Sequence, residues 1–267
     1  MSEMSSESTP SASLMNRLQT IQTDQTTQAN EIVDRGYQVR FKDVAIPGAS
    51  SVRLKTLLDR QQYWDPDGQA ARLGISEALW PLFGMLWPGS IHLASRVAQR
   101  PVCDKETILE IGCGLALASL VAHSQGANVT ASDCHPLASR FLSANMHLND
   151  LPSGLRYRHG QWGLDVSKQF VPDGIKPLSD ARFDLVIASD VLYERGMADD
   201  VAAFIDRHAN QQAQAWVVDA NRGYRTALNR SMETYGFHLV DDERLDDIET
   251  NGKTRPFKGR FLQYQRA

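Results

Sequence analysis

"ILEIGCGLALA", residues 108–118, is the stretch on which the fold turns. Ile108 to Ile111 is a short run without a polar face, the mark of a strand buried on both sides. Gly112 and Gly114 then break it. The following "LALASLVAHSQG" spaces its apolar residues as a helix does and stops at Gly126. Strand, glycine turn and helix in that order let a backbone approach a ligand closely. Two residues argue against a dinucleotide as that ligand. The third small position of the G-x-G-x-x-G/A fingerprint falls on Leu117. Glu110, two places before the first glycine, would repel a pyrophosphate.

The same carboxylate suits an ammonium group. Asp133 closes the next apolar run, "NVTASD", about 20 residues beyond the second glycine, where an acid accepts both hydroxyls of a ribose. Cys134 follows it directly, and Ala116 keeps the turn small. Glu110, Gly112, Gly114, Ala116 and Asp133 together describe a pocket for a nucleoside with a cationic amino-acid tail, which is S-adenosylmethionine. The alternative is a purely structural glycine turn.

Outward from this unit, strands and helices alternate. "PLASRFLSANMHLND" predicts a helix with Pro136 in its first turn. "LRYRHG" predicts a third strand and "FDLVIASD" a fourth, the clearest buried one. Then come a helix over "ADDVAAFIDRHA", a strand over "AWVVDA" and a helix over "YRTALNRSMETYG". "FHLVDDERL" and "RFLQYQR" end the chain as two strands with no helix between them. The pattern is an α/β, doubly wound, seven-stranded, mostly parallel sheet with a C-terminal antiparallel hairpin.

Upstream, residues 1–30 are rich in Ser, Thr and Gln and predict a disordered tail. Residues 31–78 predict a small β-containing extension: "YQVRF" alternates, Pro47-Gly48 marks a turn, and "SVRLKTLL" follows. "YWDPDGQAARLG" is turn-rich, and Ser76 is placed to cap a helix. Residues 79–267 form the main domain. It opens with two Trp-Pro pairs, at Trp80-Pro81 and Trp87-Pro88. The prolines divide them. Pro88 suits the first turn of a helix that packs Ile91, Leu93, Ala94 and Val97. Trp87 then stands at that helix's entrance, while Trp80 reads as a core aromatic with Leu82 and Phe83.

"ETILEIGCGLALASLVAHSQGANVTASD" resembles the glycine motif and second-strand acid of class I S-adenosylmethionine-dependent methyltransferases, with Ala116 where many members carry a third glycine. The resemblance runs from about Trp80 onward and implies a Rossmann-like fold with S-adenosylmethionine as cofactor. "ASDVLYE" is similar to the Asp-x-x-Tyr/Phe motif of the seven-strand protein-lysine methyltransferases, and "QWG" at 161–163 and "LWPGSIHLASRV" also resemble their pattern. The likeness implies Asp190 and Tyr193 as the acceptor-site pair, Trp162 near the adenine, Gln161 near its polar edge, and Trp87 facing the methionine tail or acceptor channel. Ser189, at the carboxyl end of the fourth strand, also points towards the site. The competing reading has Asp190 capping the next helix and Tyr193 packing on the sheet edge. Asp219, Asn221, Arg222 and Tyr224, in the turn "DANRGY", face either the acceptor or a helix cap.

The expected partner is a protein substrate, with lysine favoured. A small-molecule amine comes second and nucleic acid last, since no Asn-Pro-Pro-Tyr-like motif follows the fourth strand. A non-catalytic S-adenosylmethionine-binding module is the remaining alternative. A net charge of −4 supplies no general pull towards nucleic acid. Three cysteines without a CxxC pair favour a reducing, cytoplasmic location over a disulfide framework or structural zinc. The scattered histidines offer no metal spacing. No apolar run is long enough to span a membrane.

Overall fold

The computed structural model describes residues 31–34, 36–163 and 169–266. The expected disordered tail, 1–30, lies outside them. Three strands open the chain: β1 (Glu31–Asp34), β2 (Tyr37–Val44) and β3 (Val52–Leu57). They form an antiparallel sheet in the order β1-β2-β3. A short helix, α1 (Gln69–Leu73), lies in the stretch read as turns. Its start is held by the Asp65 carboxylate, which accepts the N–H groups of Gln69 and Ala70, two of the donors a helix leaves unpaired. A 3₁₀ turn (Trp80–Gly84) follows. Ser76 contributes its carbonyl to the N–H groups of Leu79 and Trp80, and no side-chain cap forms there. Helix α2 (Pro88–Ala98) has Pro88 at its first position and buries Ile91, Leu93, Ala94 and Val97.

The main sheet alternates from there: β4 (Thr107–Ile111), α3 (Leu117–Ser124), β5 (Asn128–Asp133), α4 (Ala138–Leu148), β6 (Arg156–His159), β7 (Phe183–Ser189), α5 (Met197–His208), β8 (Ala209–Asp219) and α6 (Arg225–Thr234). Strand β9 (Phe237–Leu245), a hairpin of β10 (Ile248–Thr250) and β11 (Lys253–Arg255), and β12 (Gly259–Arg266) complete the chain. The seven-stranded sheet has the order β6-β5-β4-β7-β8-β12-β9. Its first five strands pair in parallel; β12 slots antiparallel between β8 and β9. The chain winds from β4 outward to β6, then returns to begin β7 on the other side of β4. That reversal opens a crevice at the carboxyl ends of β4 and β7, where a doubly wound sheet binds its ligand.

Helices cover both faces, so β4 and β7 are apolar on both sides. One core joins α2, α3 and α4 to the extension through Tyr37, Val39, Leu54 and Leu57. The other lies under α5 and α6. Three boundaries differ from the reading of the sequence. Helix α3 begins at Leu117, two residues later than read, because Ala116 before it is left-handed. Pro136 sits in the turn before α4, because hydrogen bonds from the N–H groups of His135 to the Asp133 carboxylate and of Leu137 to His135 Nδ1 hold that segment bent. Strand β8 extends back to Ala209, directly after α5.

The extension is tied to α4 by side-chain amides. Asn145 Oδ1 accepts the Lys55 N–H at 2.7 Å, and Asn149 takes the Arg53 N–H at 2.7 Å and donates to the Arg53 carbonyl at 2.8 Å. The two amides thus do for the free edge of β3 what a fourth strand would. Asn145 is fully buried. Replacing Asn145→Ala strands the Lys55 N–H and should cost about 1–3 kcal/mol. Urea unfolding reads the loss, and faster hydrogen exchange at the Lys55 amide locates it.

Candidate active site

A cavity of about 400 Å³ lies at the crevice. Its floor is the glycine turn. Gly112 (φ 57°) and Gly114 (φ 52°) both occupy the left-handed region. Space alone would also demand glycine. A Cβ on Gly112 would come within 2.9 Å of Val191 and 3.0 Å of Trp162, and one on Gly114 within 2.9 Å of the Phe83 carbonyl oxygen. Ala116 is left-handed too (φ 58°) and fully buried. It does not line the cavity, contrary to the expected cofactor contact. As the residue before α3, it gives its carbonyl to the Leu120 N–H.

Asp133 lines the cavity and holds the turn. Its Oδ2 accepts the Gly114 N–H at 2.8 Å and its Oδ1 the His135 N–H at 2.8 Å. Burial raises its pKa, and these N–H groups oppose the rise. Each oxygen keeps a lone pair for a ribose hydroxyl. Cys134 lines the same wall.

Glu110 overturns its expected role. It is 2% exposed and does not line the cavity. Its Oε2 accepts the Ser119 N–H at 2.8 Å and the Ser119 hydroxyl. Strand side chains alternate between faces, and that of Glu110 faces α3, while the ligand crevice lies off the strand's end. It braces α3 rather than meeting an ammonium group. Desolvation pushes its pKa up to about 7, against the pull of Ser119.

Gln161 and Trp162 also line the cavity. Gln161 Nε2 donates to the Leu73 carbonyl at 2.8 Å, while its Oε1 is buried without a partner. An adenine amino group needs such an acceptor. Trp162 stands edge-on to Phe204, with ring centroids 6.1 Å apart. The orphan oxygen, the glycine cradle and the Asp133 carboxylate fit S-adenosylmethionine, with Asp133 on the ribose and Gln161 and Trp162 on the base.

At the other end, Trp87 lines the cavity and its indole donates to the Leu82 carbonyl at 3.0 Å. Trp80 is in the core. It is 2% exposed, and its indole donates to the Tyr37 hydroxyl at 2.8 Å. Ser189 and Tyr193 line the cavity, with Tyr193 exposed at the mouth. Asp190 follows β7 in a left-handed conformation (φ 56°), fixed by its N–H to the Val218 carbonyl at 2.9 Å. It does not cap the next helix, α5. Its Oδ2 abuts Gly89 in the first turn of α2, where any Cβ would collide with it. Its Oδ1 lies 3.5 Å from the Arg222 guanidinium. Burial raises the Asp190 pKa to about 6; Arg222 lowers it, Asp219 raises it and the Gly89 N–H lowers it.

The turn after β8 divides its residues. Arg222 reaches the cavity. Asp219 is buried behind it, Asn221 is exposed with φ 58°, and Tyr224 precedes α6 and packs against its core. Sequence reading missed two walls. Leu73, Gly74 and Ile75 close one side, and Glu194, Arg195 and Asp200 the other. Only Gly74, a helix-ending glycine, carried any signal for the first wall.

Sheet order, glycine turn and second-strand acid define a class I methyltransferase fold. More narrowly, the chain belongs to the lysine methyltransferase family, whose model matches residues 73–234. It is 29% identical over 139 residues to a bovine (Bos taurus) protein-lysine methyltransferase, METTL21E, covering 49% of this chain and 45% of the relative. It is 29% identical over 140 residues to the human histone-arginine methyltransferase METTL23, covering 49% and 67%. It is 23% identical over 159 residues to the human electron transfer flavoprotein beta subunit lysine methyltransferase, covering 58% and 53%. The chain thus spans about half the length of most of these relatives.

The buried Glu110 gives a pH test. Its folded pKa, about 7, lies above the 4.5 of an ordinary glutamate. Below pH 4.5 the carboxyl is protonated whether folded or unfolded. As pH rises to 7 only the unfolded carboxyl ionises, so stability falls, by about 3 kcal/mol in all. Glu110→Gln keeps an acceptor for Ser119 and removes this slope. Thermal unfolding from pH 4.5 to 8 should show the variant gaining on the wild type up to about pH 7 and holding level above it. A constant difference would refute the assignment.

Proposed function

We propose that this protein transfers a methyl group from S-adenosylmethionine to the side-chain nitrogen of a lysine in a partner protein. One observation carries the reading. A largely buried carboxylate, Asp190, lines the same cavity as the Asp133–Gly114 nucleoside cradle. The family match and the lysine methyltransferases among the relatives support the acceptor class.

When bound, the cofactor supplies an electrophilic methyl group on a sulfonium, already joined to a good leaving group. The protein then has to align the acceptor and free its lone pair. Asp133 and Gln161 orient the nucleoside. Trp87 and Tyr193 wall the slot through which an aliphatic chain reaches inward, and Tyr193 offers a ring to its cationic end. Asp190 receives the ammonium and points its nitrogen along the transfer line. With a pKa near 6 it is ionised at neutral pH and stands ready to pass the amine's proton towards the mouth.

Incubation with methyl-labelled S-adenosylmethionine and cell lysate should place protease-sensitive label on a protein band, and acid hydrolysis should return methyl-lysine. Label in methyl-arginine or in small molecules would refute the lysine reading. Asp190→Ala should slow transfer by about 100-fold or more. It should keep the rise in Tm that S-adenosylhomocysteine gives the wild type.

A further inference from the structure

Arg222 lines the cavity beside Asp190, and the transfer reaction does not call for a cation there. It stands where a cationic acceptor has to arrive. Its guanidinium lies 3.5 Å from Asp190 Oδ1, well outside the 2.7–2.9 Å of a charge-assisted hydrogen bond. The pair is also unevenly buried, with the Asp190 side chain 10% exposed and that of Arg222 36%. No hydrogen bond fixes the guanidinium among the described residues. It is a cation resting on the carboxylate that the acceptor ammonium would need.

Asp219 supplies a second resting place. It sits three positions before Arg222, at the end of β8, and is 1% exposed. Neither of its oxygens makes a well-formed hydrogen bond. The Asn221 N–H lies near enough to ease its charge, and Arg222 and Arg225 do so through space. Arg225, however, is engaged by Asp242, which Arg260 also binds. A buried carboxylate without a close partner is costly. Arg222 therefore acts on two carboxylates, from 3.5 Å at Asp190 and through space at Asp219, and it makes a close pair with neither.

We propose that Arg222 is a placeholder cation, resting on Asp190 in the empty site and moving to Asp219 when the acceptor ammonium arrives. Arg222 and Asp219 are then positioning residues that set the affinity of the site for a cation. The exchange keeps Asp190 paired at both stages, so its burial is tolerated without substrate. It also makes entry selective. A neutral chain cannot replace the guanidinium on Asp190, whereas an ammonium can. This inference rests on the lysine-directed reading of the acceptor end.

The test uses the full chain saturated with S-adenosylhomocysteine, which has no methyl group to give. The probe is n-butylammonium, the end of a lysine side chain, with 1-butanol as its neutral counterpart, titrated by NMR. Arg222→Gln should bind n-butylammonium at least fivefold more tightly than the wild type and leave 1-butanol unchanged. Arg222→Lys should restore wild-type behaviour. Asp219→Asn should weaken n-butylammonium binding in the wild type, because the guanidinium loses its second place. It should have no effect in the Arg222→Gln background. Equal weakening in both backgrounds would make Asp219 a simple source of negative field and overturn the exchange. So would Arg222→Gln binding the probe no more tightly. If Asp219→Asn fails to fold, the Arg222→Gln arm decides by itself. Binding to neither wild type nor Arg222→Gln, with S-adenosylhomocysteine still bound, would overturn the lysine-directed reading as well. Binding to both with equal affinity would overturn the exchange alone.

Discussion

The Asp133 carboxylate is where two turns of the sheet meet. One oxygen holds the Gly114 N–H, from the turn after β4; the other holds the His135 N–H, from the turn after β5. These turns are adjacent because β4 and β5 pair in parallel, with Ile111 opposite Ser132. Burying an ionised carboxylate is expensive unless hydrogen bonds compensate it. Here the backbone supplies them, so the charge that favours a ribose also fixes the loop that cradles it. His135, held by that bond, stacks on Phe83 with centroids 3.7 Å apart. Phe83 in turn presses its carbonyl on Gly114. The glycine turn, the second-strand acid and the 3₁₀ turn before α2 thus form one unit.

That unit explains the two tryptophans. Trp80 lies beneath it, with its ring 4.3 Å from that of His135. Trp87 emerges beyond it, in the extended residue before Pro88. The seven-residue spacing suggests one helical face, yet the chain changes direction between the rings, from 3₁₀ to extended to α-helical. Gly89 completes the arrangement. It is the third residue of "WPG", and its missing side chain makes room for Asp190 from the far end of β7. A local sequence feature is therefore set by a contact about 100 residues away along the chain, of the long-range kind that only the fold creates.

How much was legible follows from the range of each interaction. The alternating strands, the helix opened by Pro88, the helix after the glycine turn and the acid at Asp133 come from local periodicity and turn chemistry, which a sequence carries directly. Helix α1 escaped because its cap, Asp65, stands four and five residues from the N–H groups it serves. Nothing marks the insertion of β12 between β8 and β9, since antiparallel pairing leaves no order in the sequence. In the site, residues at strand ends were legible. The walls from 73–75 and 194–200 were not, because those loops reach the cavity only through tertiary packing. Glu110 was misplaced for a subtler reason. Its spacing from the glycines placed it at the turn, but strand alternation decides which face its side chain takes.

Glu110 and Asp190 separate support from chemistry. Both are carboxylates at the carboxyl ends of central strands, and burial raises both pKa values, to about 7 and about 6. A raised pKa therefore does not distinguish them. Their partners do. Glu110 gives one oxygen to the Ser119 N–H and hydroxyl inside the core and does not line the cavity. Asp190 lines the cavity, with one oxygen packed on Gly89 and a loosely held cation 3.5 Å from the other. The oxygen beside Arg222 is the one left for a donor from outside, and a cationic amine would supply both charge and hydrogen bonds there. Where one carboxylate oxygen is held only loosely beside a nucleoside cradle, as at Asp190, the geometry suits the cationic acceptor proposed above.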